Sequence, residues 1–313
     1  MFLVDALARA GATVAAMRYL SWIALALAAC GGSSGAGVDG PGTDTASDAP
    51  GASNVPVIPT PTGTCPTLVN GDVTFAPAGI PPRTVKLALN PSAASDHGEL
   101  VIYWYATGSS TLEAAYSLGA TQQTIIDAGG IVATPQADPT AGQFEWFIVN
   151  QSPKQDDFIV ADEIVGCLAQ AHRIDPNHIH SMGMSAGALQ TTAVSYLRSA
   201  YIASVATYSG GLPSGFTAPT PQNPANKFAA LIFDGGATDD VFGVDFQAAS
   251  EAYKMQLIST GHFAAICDHG HGHAIPLDAA PRVAQFFTAN GFGAWPSPYA
   301  NGLPASFPTY CTL

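Results

Sequence analysis

The chain is poor in charge, and poorest in positive charge. Only 11% of its 313 residues are Asp, Glu, Lys or Arg, and 10 basic residues face 23 acidic ones, for a formal net charge of −13. No basic run occurs, so nothing offsets the repulsion that a phosphate backbone would exert, and nucleic acid is excluded as an expected partner. The acidic residues are scattered, which makes them a solubility feature rather than a binding patch. Near the N-terminus an apolar run of about ten residues follows Arg18, too short to cross a bilayer as a helix. Cysteine is scarce as well, with five in the chain.

What is there starts with targeting. Residues 17–30 read as a basic residue, an apolar stretch and small residues ending in Leu27-Ala28-Ala29-Cys30. This resembles a bacterial lipobox, in which Cys30 is lipidated and becomes the mature N-terminus; Met17 is a candidate start. An ordinary cleaved signal is the alternative. Gly31, not Asp, follows Cys30, which favours an outer-membrane or surface destination in a two-membrane host. Residues 31–64 are dominated by Gly, Ser, Ala, Pro, Thr and Asp, a composition expected to serve as a flexible leash. Residues 1–30 are therefore expected to be a signal, 31–64 a linker, and 65–313 one domain on a membrane tether.

Export implies an oxidising compartment, so Cys65, Cys167, Cys267 and Cys311 are candidates for two disulfides. Three pairings are possible. The expected one joins Cys65 to Cys311 across the domain ends, with Cys167 to Cys267; free buried thiols are the alternative.

Along 65–313, strands alternate with helices, the pattern of a mostly parallel sheet with helices on both faces. His178–Met182 is a short strand-like run. Gly183-Met184-Ser185-Ala186-Gly187 follows, and Ala188–Arg198 has helical composition. A strand, then G-x-S-x-G, then a helix is the context of a nucleophile elbow. The serine sits in a sharp, strained turn that demands small neighbours, and the helix aims its N-terminal N–H groups at the reacting oxygen. Ser185 is the candidate nucleophile.

A serine hydroxyl needs a base, and the base needs an acid to orient it. Phe228–Phe233 reads as a buried strand, and Asp239 lies on the loop after it. Asp239 is favoured over Asp240 as the acid, and Asp234 is less suited because it sits nearer the strand. His262–Cys267 reads as the last strand, followed by Asp268-His269-Gly270-His271-Gly272-His273. His273 is the candidate base. A metal held by Asp268, His269, His271 and His273 is a competing reading. Developing oxyanion charge needs two backbone N–H donors. Ala186, after the nucleophile, is one; the loop after the strand Glu99–Tyr105 offers Thr107, with Ala106 as the alternative.

These residues resemble the exported polyhydroxybutyrate depolymerase and feruloyl esterase-like α/β-hydrolases over residues 70–290. Matching positions are Asp175-Pro176-Asn177, Gly183–Gly187, Asp239 and Gly272–Pro276. The resemblance implies an α/β-hydrolase fold and hydrolysis of carboxylic esters, polymeric or aryl, through an acyl-enzyme and without a cofactor. Three positions depart from that pattern: Tyr105-Ala106 and Asp234-Gly235 stand where the family usually has His-Gly, and Ala188 replaces a second Gly. They bear on the oxyanion loop and substrate preference. A catalytically silent binding module on the same scaffold is the remaining reading. The tail Gly291–Leu313 is expected to pack irregularly on the domain, with a substrate-contacting cover as the alternative, and Tyr103 and Trp104 are expected in the core rather than in an acyl pocket.

Overall fold

The computed structural model describes residues 55–92 and 98–313. The signal, Cys30 and linker residues 31–54 lie outside the described residues. In chain order the first elements are β1 (Gly71–Phe75), β2 (Arg83–Ala88), β3 (Leu100–Trp104), α1 (Glu113–Leu118), α2 (Ala120–Asp127), β4 (Ile131–Pro135) and α3 (Asp156–Gln170). Then come β5 (Ile179–Met184), α4 (Ala186–Leu197), β6 (Ser204–Tyr208) and β7 (Ala229–Asp234). The hairpin β8 (Asp240–Val241) and β9 (Val244–Asp245) precedes α5 (Phe246–Ser259), β10 (Phe263–Asp268), α6 (Ala280–Ala289) and β11 (Cys311–Thr312).

Nine strands form one sheet in the order β1-β2-β4-β3-β5-β6-β7-β10-β11. The six inner strands run parallel, while β1, β2 and β11 pair antiparallel at the edges. Apolar composition explains why the middle is parallel: β3 to β7 are buried at every position, so both faces must be covered. Adjacent residues of β5 show the covers. His180 stacks on Phe287 of α6 at 4.5 Å, while the Ser181 hydroxyl reaches Thr191 of α4. Successive strand residues point to opposite faces, so α4 and α6 lie on opposite sides of the sheet. Tyr103 and Trp104 are in the core, as expected.

Two sequence expectations are corrected. The disulfides are Cys65–Cys167 and Cys267–Cys311. The sheet order is the reason: Cys311 lies on β11 at one edge, directly opposite Cys267 of β10, whereas Cys65 precedes β1 at the other edge. Cys167 lies on α3, which packs beside β1.

The folded body also begins before residue 65. The Val57 N–H bonds the Ala200 carbonyl at 2.8 Å, and the N–H groups of Thr62 and Gly63 donate to Glu163 of α3 at 2.7 and 2.9 Å. Composition argued for a free leash because such a segment builds no core of its own. It needs none here, because a buried carboxylate and the Cys65–Cys167 bridge hold it. Gly166 makes room, since a side chain there would strike Pro59 and Pro61.

The tail packs irregularly, as expected, burying Tyr299 and Phe307 before ending in β11.

Candidate active site

Ser185 stands between β5 and α4 with φ 55° and ψ −121°, a left-handed backbone that a non-glycine residue adopts only under constraint. The constraint is packing. Side chains at Gly183 or Gly187 would collide with the Trp104 carbonyl at the end of β3, so both flanking positions must be glycine for the elbow to close on its neighbour strand. The Ser185 N–H bonds the Tyr208 carbonyl of β6 at 2.9 Å, fixing the turn from the other side.

The three side chains picked from sequence meet. Ser185 Oγ lies 2.8 Å from His273 Nε2, and His273 Nδ1 lies 2.7 Å from Asp239 Oδ1. An ionised carboxylate only accepts, so the imidazole proton belongs on Nδ1 and the serine hydroxyl donates to Nε2. Backbone contacts between loops bring these groups together. The Gly272 N–H bonds the Gly235 carbonyl at 2.9 Å, and a side chain on Gly235 would strike the Gly272 carbonyl. Phe246 packs against the His273 ring at 4.7 Å.

Asp239 is buried and Asp240 is exposed on the hairpin, which separates the two candidates for the acid. The cap of α5 is Asp245, which accepts the Ala248 N–H. Asp239 Oδ2 accepts the Gly235 N–H at 2.8 Å and the Ser209 hydroxyl at 2.7 Å. Burial pushes the Asp239 carboxyl up. Hydrogen bonds from His273, the Gly235 N–H and Ser209 outweigh that push and hold it below its usual range.

With both ring nitrogens committed, His273 has none left for a metal. Among the described residues no cluster of three or more His, Cys, Asp or Glu side chains is arranged to hold one.

After β3 the chain enters the loop expected to supply the second N–H donor. The Ala106 N–H donates to Glu113 at 3.0 Å, the Gly108 N–H to both oxygens of Glu145 at 3.1 and 3.2 Å, and the Ser109 N–H to the Ala106 carbonyl at 3.0 Å. The Thr107 N–H has no hydrogen-bond partner among the described residues. Thr107 and Ala186 border the same cavity as Ser185. Ala106, the alternative donor, is thus already engaged. Burial pushes the Glu113 and Glu145 carboxyls up against these hydrogen bonds, which pull them down.

The cavity measures about 210 Å³ and is walled by Phe144, Val149, Leu189, Phe216, Phe242 and Phe246, with no charged side chain in its lining. A second apolar cavity of about 60 Å³ lies behind Val149, Leu189, Pro213 and Phe216. No residue of the tail lines either.

Sequence reasoning did not find Ser209, Glu113 or Glu145. Ser209 follows β6 with φ 51°, and Glu145 sits in a loop with φ 65°. Neither position carries a motif, since both act through loops that only the folded sheet brings close.

No protein-family model matches the chain, and no curated protein sequence does. Solved structures do. Native pOPH aligns with a TM-score of 0.62 at 14% identity, over 80% of this chain and 96% of pOPH. An S-formylglutathione hydrolase from Agrobacterium tumefaciens aligns at 0.52 and 11%, over 72% and 98%. A Rhizomucor miehei fungal esterase aligns at 0.52 and 16%, over 72% and 85%. Likeness at these identities establishes the fold. The chain has the α/β-hydrolase fold that its sequence implies.

Proposed function

We propose that the chain is a serine hydrolase of carboxylic esters. One observation carries the reading: Ser185, His273 and Asp239 form a continuous hydrogen-bonded chain that opens onto an apolar cavity. In this reading Ser185 Oγ attacks the ester carbonyl carbon while its proton passes to His273 Nε2. The carbonyl electron pair moves to oxygen, where the N–H groups of Thr107 and Ala186 receive it. Asp239 stays ionised and supports the imidazolium. The intermediate collapses, the C–O bond to the alcohol breaks, and His273 returns the proton to the leaving alkoxide. Water repeats the sequence on the acyl-enzyme and releases the acid. No cofactor enters.

The cavity's aromatic and aliphatic lining supports a neutral, apolar group beside the scissile ester, consistent with polyesters such as polyhydroxybutyrate or aryl and feruloyl esters. Two fold neighbours bear esterase or hydrolase names, which adds support. The proposal extends to location: an exported lipoprotein held at a membrane through Cys30, supported by the lipobox pattern and by two disulfides.

The test is labelling of the purified protein with a fluorophosphonate, alongside hydrolysis of p-nitrophenyl esters. Wild type is expected to label on Ser185 and turn over, and Ser185→Ala to do neither. A folded wild type that stays unlabelled and inactive overturns the reading.

A further inference from the structure

We propose that Glu145 is a positioning residue that holds the Thr107 N–H in place for the oxyanion; this rests on the serine-esterase reading above. In a trans peptide the C=O and the next N–H point in opposite directions. The Ala106 carbonyl is tied by the Ser109 N–H at 3.0 Å, so the Thr107 N–H on the same peptide points away from that bond. The following peptide is tied by the Gly108 N–H, whose acceptor is the Glu145 carboxylate. Thr107 is therefore fixed from both sides, and the second of those ties is a side chain from a different loop.

The segment around Glu145 brackets the donor. Trp146 Nε1 donates to the Tyr105 carbonyl at 2.9 Å, two residues before Thr107, while Glu145 takes the N–H one residue after it. Phe144, on the other side, forms part of the cavity wall and packs on Phe242 at 5.7 Å. Three consecutive residues thus join the oxyanion loop to the substrate cavity.

Glu145 itself has φ 65°, in the left-handed region that long side chains avoid. Such a conformation persists where surrounding structure demands it. The side-chain hydrogen bond that accompanies it is the one to Gly108. Glu113 differs: it lies on α1, just after the same loop, and also takes the Tyr103 hydroxyl at 3.0 Å, so it ties the loop to its own strand.

A carboxylate near a developing oxyanion brings charge repulsion as well as a tether, and the two effects predict opposite outcomes for Glu145→Gln. As a positioning residue Glu145 needs only an acceptor oxygen, which Gln retains. The experiment compares Glu145→Gln, Glu145→Ala and Glu145→Gly for kcat, KM and inhibition by a trifluoromethyl ketone, whose adduct with Ser185 places a negative oxygen where the oxyanion forms. Gly suits φ 65°, so Glu145→Gly guards the fold, and its thermal unfolding should match or exceed wild type.

Glu145→Gln is expected to keep kcat within about threefold of wild type, while Ala and Gly lower kcat by roughly ten- to a hundredfold with KM nearly unchanged. The ketone's inhibition constant should rise in step with the loss of kcat/KM. A Gly variant with wild-type kcat and ketone affinity overturns the proposal, and so does a change confined to KM. If wild type neither labels nor hydrolyses, the esterase reading fails instead, and the two failures remain distinct.

Discussion

Ser209 donates its hydroxyl to Asp239 Oδ2 at 2.7 Å, the carboxylate oxygen that His273 leaves free. The acid therefore has a fixed plane as well as a fixed position. A charge-assisted hydrogen bond of this kind is worth about 1.5–3 kcal/mol, and its loss leaves Oδ2 held by the Gly235 N–H alone. Ser209→Ala is expected to lower kcat/KM for a p-nitrophenyl ester by about tenfold, with the fold unchanged by circular dichroism. Unaltered turnover would mean that the Gly235 N–H and His273 suffice to hold the carboxylate.

Leu189 is shared by the walls of the 210 Å³ and 60 Å³ cavities. Cutting it back to Ala should merge them. Apolar pockets discriminate a single methylene by roughly 10–200-fold, so opening the wall relaxes that discrimination for longer groups. In a series of p-nitrophenyl esters of increasing acyl length, Leu189→Ala should move the optimum of kcat/KM to a longer chain. An optimum at the same length would show that the substrate's variable group lies elsewhere.

Glu99 is mostly buried, and burial pushes its carboxyl from the ordinary 4.5 up to about 7, with His178 opposing weakly. The folded state then keeps a proton that the unfolded state releases. Between those two values the native protein binds more protons, so stability falls as pH rises through the window and levels off above it. The span corresponds to at most about 3 kcal/mol. Glu99→Gln removes this titration. Urea unfolding at pH 4.5 and pH 8 should show the variant gaining about 1–3 kcal/mol on wild type at the higher pH only.

The bridge Cys65–Cys167 closes a separation of 102 residues and secures the strap that runs from Val57 to Thr64. Removing such a crosslink costs about 3–5 kcal/mol in the chain-entropy picture. Cys65→Ser combined with Cys167→Ala should lower the urea midpoint and expose residues 57–64 to limited proteolysis. Ester turnover below the unfolding transition should persist, because neither cysteine lines the cavity at Ser185. Protease resistance equal to wild type would assign the strap's attachment to its hydrogen bonds with Glu163 and Ala200.

Ser185 was legible in the sequence because its requirements are local: a strand, two glycines and a helix within a dozen residues. Asp239 and His273 were legible because each follows an apolar run that could only be a buried strand. The loop proposed to hold the oxyanion is reached in sequence through its strand, with Thr107 preferred and Ala106 as the alternative; that Glu113 already occupies the Ala106 N–H is visible only in the fold. Tyr105, which departs from the family pattern, accepts the Ala137 N–H with its hydroxyl at 2.7 Å, a contact that no spacing rule anticipates. The disulfide pairing failed for a related reason. Distance along the chain says nothing about which edge of a nine-stranded sheet each cysteine reaches, and the edges decide it.

Thr107, Glu145, Ser185, Asp239 and His273 sit on the connections that follow β3, β4, β5, β7 and β10. Those strands are parallel, and their pairing needs long crossovers to close before any contact is gained. The Ser185–His273 contact alone joins residues 88 apart. On the esterase reading, reactivity of Ser185 is therefore expected to be a late clock in refolding. Helical ellipticity can return from local segments, while labelling waits until the far strands have found their places.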